Sequence, residues 1–324
     1  MKNTPAKLQR AEYEDFDAYA EAIGDADLRL TLAILEQANW SITQLELPGS
    51  LHIQMAAEGS GNVAEGAIRQ DGLVLFTMKS CEQSRANGQE LGSGSLLVMP
   101  PGSDFHLQIP HAHEWLSIYI PETTLSRMVW LSEFIEYDRS DVRVLGPVNG
   151  LAGELWALLI RFLSWSASAP GVIDQSASAD AFDAALMACL NRLPSETARD
   201  SKTAKGRPRV IDQITMSHIA GLIESQPHSV KSAQDLVALT GISERTLQAA
   251  FNKYYGLSPA RYIQLRRLHQ ARKLLARVDD HETTVSNVAT SLGMWDLGRF
   301  AGRYRNVFGE LPSVTLQRAR RALG

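Results

Sequence analysis

The sequence predicts a two-domain α+β chain: an antiparallel β barrel or sandwich followed by helices, then an all-α domain with two helix-turn-helix units. Three observations carry this. Short apolar runs separated by Gly, Pro, Ser and Asp fill the region from about 28 to 121. A stretch without large apolar residues interrupts the chain at 194–209. A pattern of helix caps, glycines and aromatic residues around Gly241 recurs around Gly293. At 324 residues the chain is also too long for one typical domain.

The apolar runs 73–78 (LVLFTM), 95–99 (SLLVM) and 115–120 (WLSIYI) have strand length, and Pro100-Pro101-Gly102 marks a turn between two of them. After Pro121 the period changes. Residues 122–130 read as a short helix. Residues 149–165 carry Leu151, Leu155, Leu158, Leu159 and Phe162 at helical spacing, and 174–193 continue with Ala181, Phe182, Ala185, Leu186 and Leu190. Such stripes form a core or a dimer seam. The first domain is therefore placed at 1–193, with its β part at about 28–121 and its helical part at about 122–193. A linker follows at 194–209, and the second domain covers 210–324.

Composition narrows the function classes. A hydrophobic share of 44% and a charged share of 21% are ordinary for a soluble globular protein. No apolar run approaches the roughly 20 residues that span a bilayer, and the polar start at 1–16 does not read as a secretory signal, so no membrane partner is expected. Cys81 and Cys189 read as buried free thiols of a reducing cytoplasm, without metal spacing. The net charge of -4 conceals a division. Residues 205–324 hold 18 Lys and Arg against 9 Asp and Glu, a net of +9, and the remainder is net -13. An acidic body with a basic tail suggests that the tail meets a polyanion, or that it simply presents a solvated basic surface.

The repeat resolves into caps and stops. Ser232, with Asp235 three residues on, caps a helix carrying Leu236, Val237 and Leu239; Gly241 ends it. Ser243 caps Glu244–Tyr255, with Leu247, Ala250, Phe251 and Tyr254 on one face, and Gly256 ends that. In the second copy Thr284 caps, Val285, Val288 and Ala289 are apolar, and Gly293 stops the helix. Asp296 caps a helix with Leu297, Phe300, Tyr304 and Phe308, and Gly309 ends it. Ser243, Leu247, Phe251, Gly256 and Pro259 match Asp296, Phe300, Tyr304, Gly309 and Pro312 at an offset of 53. The two helix-turn-helix units are thus 232–255 and 284–308. Between them, Ser258 and Pro259 begin a helix reaching Arg277. Ile263, Leu265, Leu268 and Leu275 form its inner face, and Arg266, Arg267, Arg272, Lys273 and Arg277 cover much of the rest. A rod of about 28 Å sets two recognition helices roughly one DNA turn, about 34 Å, apart.

These residues resemble the DNA-binding domain of the AraC/XylS family of bacterial transcription regulators. The resemblance rests on 241–248 (GISERTLQ) with Phe251, 256–263 (GLSPARYI), 267–275 (RLHQARKLL), Val288-Ala289, 293–300 (GMWDLGRF) and 304–312 (YRNVFGELP), and covers about 210–320. The segment 94–102 (GSLLVMPPG) is loosely similar to a strand and turn of the family's cupin-like sensor region. The resemblance implies a cytoplasmic bacterial regulator that binds promoter or operator double-stranded DNA and is nucleoid-associated when bound. The charge split and the linker suggest control by an unknown small-molecule effector in the N-terminal domain, the helices at 149–193 suggest a homodimer, and RNA polymerase is a further candidate partner. Gly298 and Gly302 depart from the pattern, since family members often carry polar side chains there; the second unit then relies more on phosphates and shape than on base readout.

Arg245 and Gln248 fall at base-facing positions by the same resemblance, with Glu244 and Asn252 as further exposed positions; Arg245 can alternatively be a solvated helix charge. Arg pairs with guanine and Gln with adenine through two hydrogen bonds each. In the second unit Arg299 is expected at a base and Arg303 at a base or as a phosphate clamp, since the two share a face four residues apart. Arg266, Arg267, Arg272 and Lys273 are expected at phosphate, at the acidic first domain or in solvent. Trp295 is read as turn packing.

Enzymatic readings are set aside. His106, His111, His113 and Glu114 suggest a metal, and His111-x-His113 can share a strand face, but Pro110 precedes the pair and the remaining ligands of a cupin metal site are not placed. The metal-dependent cupin enzyme with a DNA-binding tail remains the alternative; His52 and His106 can instead line an effector pocket. No catalytic residue and no cofactor is assigned. A third alternative is an architectural DNA-binding protein without an effector.

Overall fold

The computed structural model describes residues 6–47, 51–80, 82–125, 142–145, 149–168, 176–192, 211, 213–278 and 282–321. Cys81 and the expected linker at 194–209 lie outside the described residues. The chain divides into two compact units. The first comprises Met1–Arg29, Asn39–Gly59 and Ala64–Gly206; the second comprises Leu30–Ala38, Ser60–Val63 and Arg207–Gly324. Among the described residues no helix is long and apolar enough to cross a membrane.

The strands are β1 (Lys7–Tyr13), β2 (Ala26–Leu32), β3 (Trp40–Glu46), β4 (His52–Glu58), β5 (Asn62–Ile68), β6 (Gly72–Lys79), β7 (Arg85–Ala86), β8 (Gln89–Glu90), β9 (Leu96–Met99), β10 (Asp104–Ile109), β11 (His113–Pro121) and β12 (Arg143–Leu145). They form one sheet in the order β1-β3-β4-β11-β6-β9-β12 and another in the order β2-β5-β10-β7-β8. The central strand β11 pairs antiparallel with β4 and β6, setting Trp115 opposite Ala56 and Met78. It is buried along most of its length, as its nearly unbroken apolar run requires. The first unit also holds α1 (Phe16–Ala22), α2 (Glu122–Leu125), α3 (Asn149–Ser168) and α4 (Ser176–Leu190). The apolar stripes of α3 and α4 share one core with the sheet residues Leu75, Val98, Leu116 and Ile118. Phe162 of α3 stacks on Phe182 of α4 at 4.1 Å between ring centres.

The β part is wider than the expected 28–121. It begins at β1, whose polar alternation KLQRAEY suits an edge strand paired on β3, and it gains β12, which pairs with β9.

In the second unit follow α5 (Gln213–Ser225), α6 (Ala233–Thr240), α7 (Glu244–Tyr255), α8 (Pro259–Ala276), α9 (Val285–Ser291), α10 (Leu297–Phe308) and α11 (Pro312–Arg321). The core of α5 to α8 joins Met216, Ile219, Leu236, Leu247, Phe251, Tyr255 and Tyr262, and Val63 belongs to it. The presence of 30–38 and 60–63 in this unit departs from the expected boundary at 193, and the reason is a row of polar contacts. Arg266 donates to Thr31 Oγ1 at 2.7 Å, His269 Nε2 to the Leu32 carbonyl at 3.0 Å, and Arg261 to the Ala33 carbonyl at 3.3 Å. The Leu35 N–H donates to the Asn306 carbonyl at 3.4 Å. Ser60 Oγ accepts the N–H groups of Glu36 and Gln37 and donates to the Gln37 carbonyl.

Candidate nucleic-acid interface

Each repeat builds its interface from local capping. Ser232 and Asp235 form a reciprocal capping box, and Gly241 closes α6 at a φ of 69°. Ser243 Oγ accepts the Thr246 N–H at 3.2 Å to start α7. In the second copy Thr284 Oγ1 accepts the Asn287 N–H at 3.1 Å, and the Asp296 carboxylate accepts the Arg299 N–H at 3.0 Å to start α10. These two turns aim α7 and α10 so that one face enters the core and the other meets solvent.

On α7 the inner face is Leu247, Ala250, Phe251, Tyr254 and Tyr255. Glu244, Arg245, Gln248, Ala249 and Asn252 are exposed, with Arg245, Ala249 and Asn252 farthest from the core at 3.6 residues per turn. Gln248 Nε2 approaches Asn252 Oδ1 at 3.5 Å. The outer face is therefore a short polar row, the form in which a recognition helix reads base edges.

On α10 the inner face is Phe300, Tyr304, Val307 and Phe308. At the repeat offset, Gly298 stands where Arg245 stands, Ala301 where Gln248 stands, Gly302 where Ala249 stands, and Arg305 where Asn252 stands. Arg299 and Arg303 correspond to Thr246 and Ala250, off the outermost line. Both are exposed, and Arg299 Nε lies 3.2 Å from Asp296 Oδ2 in a solvated pair. Trp295, expected to pack in the turn, is instead 76% exposed. Leu239, expected on the inner face of α6, is exposed as well.

The basic helix α8 also departs from expectation. Arg266 is 7% exposed and Arg272 is 5% exposed. Arg266 pairs with Glu224 of α5 at 2.6 Å, and Arg272 pairs with Glu310 at 3.1 Å while lying over the Phe308 ring. Arg267 donates to the carbonyls of Pro227 and Val230. Arg266 and Arg272 fasten α8 to its neighbours instead of facing solvent, Arg267 is half-buried, and Lys273 is exposed.

His269 sits among them. Part of the residue remains accessible, but its ring packs edge-on against Phe308 at 5.0 Å. Desolvation holds its pKa down at about 3, and the charges of Arg266 and Arg272 add to the effect. The folded-state value lies below the unfolded value of about 6.5, so this contribution to stability is complete above pH 6.5 and is lost as pH falls from about 6.5 toward about 3. We expect acidification from pH 7 to pH 5 to destabilise the second unit by up to about 1.4 kcal/mol per pH unit below about 6.5, with His269→Gln reducing that slope in thermal melts. Equal slopes for the two proteins would remove His269 as the cause.

The histidines of the first unit do not converge. His113 and Glu114 are neighbours on β11 and point to opposite faces: His113 is buried 3.8 Å from Glu58, and Glu114 pairs with Lys79 at 2.7 Å in solvent. Glu58 accepts hydrogen bonds from Tyr19 and Trp115, each at 2.7 Å. His52 Nδ1 lies 2.6 Å from Asp25, His106 is buried in β10, and His111 is exposed. Among the described residues no three His, Cys, Asp or Glu side chains gather as a metal site.

A family model described as a helix-turn-helix domain matches residues 236–318. Two regulators of Pseudomonas putida are similar to part of the chain. XylDLEGF operon transcriptional activator 2 is 37% identical over 98 residues, which is 30% of this chain and 62% of that protein. XylDLEGF operon transcriptional activator is 32% identical over 132 residues, 41% of this chain and 39% of that protein. The chain thus spans less than two thirds of the length of either relative. The solved structure of a probable AraC family transcriptional regulator from Rhodopseudomonas palustris CGA009 is 41% identical, covering 32% of this chain and 94% of that one, with a TM-score of 0.30. Two capped helix pairs with this spacing, joined by α8 and matched over 236–318, form an AraC-type helix-turn-helix domain, and over it the chain resembles the AraC/XylS family of transcriptional regulators.

Proposed function

We propose that the protein is a sequence-specific DNA-binding regulator of transcription whose second unit reads promoter or operator duplex through α7 and α10. The observation that carries this is the polar outer row of α7, with Glu244, Arg245, Gln248 and Asn252 exposed on a helix whose opposite face is core. Arg299 and Arg303, beside the outermost line of α10, hold phosphate rather than bases in this reading. The first unit acts as a cupin-like sensor for a small effector, and the exposed Ile160 and Trp165 of α3 provide a homodimer seam. The work is cytoplasmic, on the nucleoid, with RNA polymerase recruited or excluded at the bound promoter.

The test is anisotropy binding of the full chain to the promoter beside its own gene, with a scrambled duplex as competitor. Preference for the promoter is expected; equal affinity for both would defeat specific recognition. Arg245→Ala should lose about 1–3 kcal/mol at the preferred site and relax the preference at one base pair. A uniform loss over all sequences would assign Arg245 to phosphate.

A further inference from the structure

Between the first half of α8 and the N-terminal end of α10 lies an open cleft of about 560 Å3. Lys231, Arg261, Arg267, Arg299 and Arg303 line it together with Trp295, and Asp296 is the single carboxylate among its lining residues. Arg261 hydrogen-bonds neutral partners, Gln264 and the Ala33 carbonyl. Burial first, and the charge of Arg303 second, hold its pKa below the usual value. An anion laid in the cleft relieves that repulsion.

The neighbouring surface of α10 has a second peculiarity. A Cβ at Gly302 would meet nothing within 4 Å, and one at Gly298 would meet only Asp296 Oδ1 at 3.6 Å. Neither glycine has a positive φ. The fold therefore requires glycine at neither place, although each weakens the helix relative to Ala. The room they leave is on the exposed side of α10, and Trp295, whose indole is 76% exposed, immediately precedes the cap of that helix. That is the end by which a recognition helix meets base edges.

We infer that the cleft and the bare line of α10 receive one side of a DNA major groove, with the cations on phosphates and Trp295 packed against the 5-methyl group of thymine. This rests on the DNA-binding reading above and deepens it. The second helix-turn-helix reads an apolar methyl, the one such handle the unmodified major groove offers, where the first helix-turn-helix reads hydrogen-bonding edges. The glycines let the helix backbone come close enough for the indole to reach it.

The test uses duplexes enriched from a random library by the full chain, resynthesised with deoxyuridine replacing each thymine in turn. In the half-site whose preference Arg245→Ala leaves intact, one or two replacements should weaken the wild-type protein about four-fold each, the value of one buried methyl. Trp295→Ala should bind the thymine duplex more weakly and no longer distinguish deoxyuridine. Gly302→Leu should raise the thermal midpoint while weakening binding about ten-fold or more, because the added side chain holds the helix away. A wild-type protein indifferent to every replacement, or a Trp295→Ala variant that discriminates as before, overturns the inference while leaving the DNA reading intact. Failure to enrich any sequence overturns both.

Discussion

Phe251→Ala is expected to lower the stability of the second unit by about 4 kcal/mol. Phe251 is fully buried, and its ring centre lies 5.4 Å from those of both Tyr255 and Tyr262, where α7 meets the start of α8. Tyr255 and Tyr262 stack on each other at 4.3 Å, so the three rings form one block and the vacated volume cannot collapse cheaply. Native-state hydrogen exchange of the α6 and α7 amides measures the loss. Specific DNA binding should fall with it, since Arg245 and Gln248 keep their aim only while α7 is seated. A loss below about 1 kcal/mol would show that the block does not hold the first recognition helix.

Glu310→Ala is expected to cost about 3 kcal/mol, by a different mechanism. One carboxylate oxygen of Glu310 accepts hydrogen bonds from Arg272 at 3.1 Å and from Thr315 Oγ1 at 2.7 Å, and the other pairs with Arg318. The Arg272 side chain is only 6% exposed, so deleting its carboxylate leaves a charge that water reaches poorly. The same hub fixes α11 beneath α10: Tyr304 shares a 2.8 Å hydrogen bond with Thr315, and burial pushes the Tyr304 pKa up to about 12. Glu310→Gln keeps an acceptor oxygen and should cost less than the alanine variant. Urea unfolding of the variants makes the comparison, and equal losses would mean that charge is not what stabilises the hub.

What was legible in the sequence is what local chemistry determines. Ser232, Ser243, Ser258, Thr284 and Asp296 each cap the helix expected of them, and Gly241, Gly256 and Gly309 take the left-handed conformation that ends one. Caps act within three residues, so they can be read without knowing the fold. The fate of the α8 arginines could not be read this way. Arg266 meets partners 42 and 235 residues away and Arg272 meets one 38 away, and a basic helix looks the same in sequence whether its charges face phosphate or a buried carboxylate. The membership of 30–38 and 60–63 in the second unit was hidden for the same reason. Two of its hydrogen bonds use the backbone carbonyls of Leu32 and Ala33, which carry no sequence signature. Trp295 misled because aromatic residues in turns usually pack; only the 53-residue offset, which sets Gly298 and Gly302 at the outer positions of α10, hinted that its surroundings are bare. The polar edge strand β1 gave no apolar run to notice.

The central claim is that α7 and α10 engage one duplex at two successive major grooves. Hydroxyl-radical footprinting of the full chain on an enriched duplex tests it most directly. Two protected patches on one face of the helix, about 10 base pairs apart, are expected, with Arg245→Ala thinning one and Trp295→Ala the other. A single patch, or two on opposite faces of the duplex, would mean that the paired helices do not read DNA together.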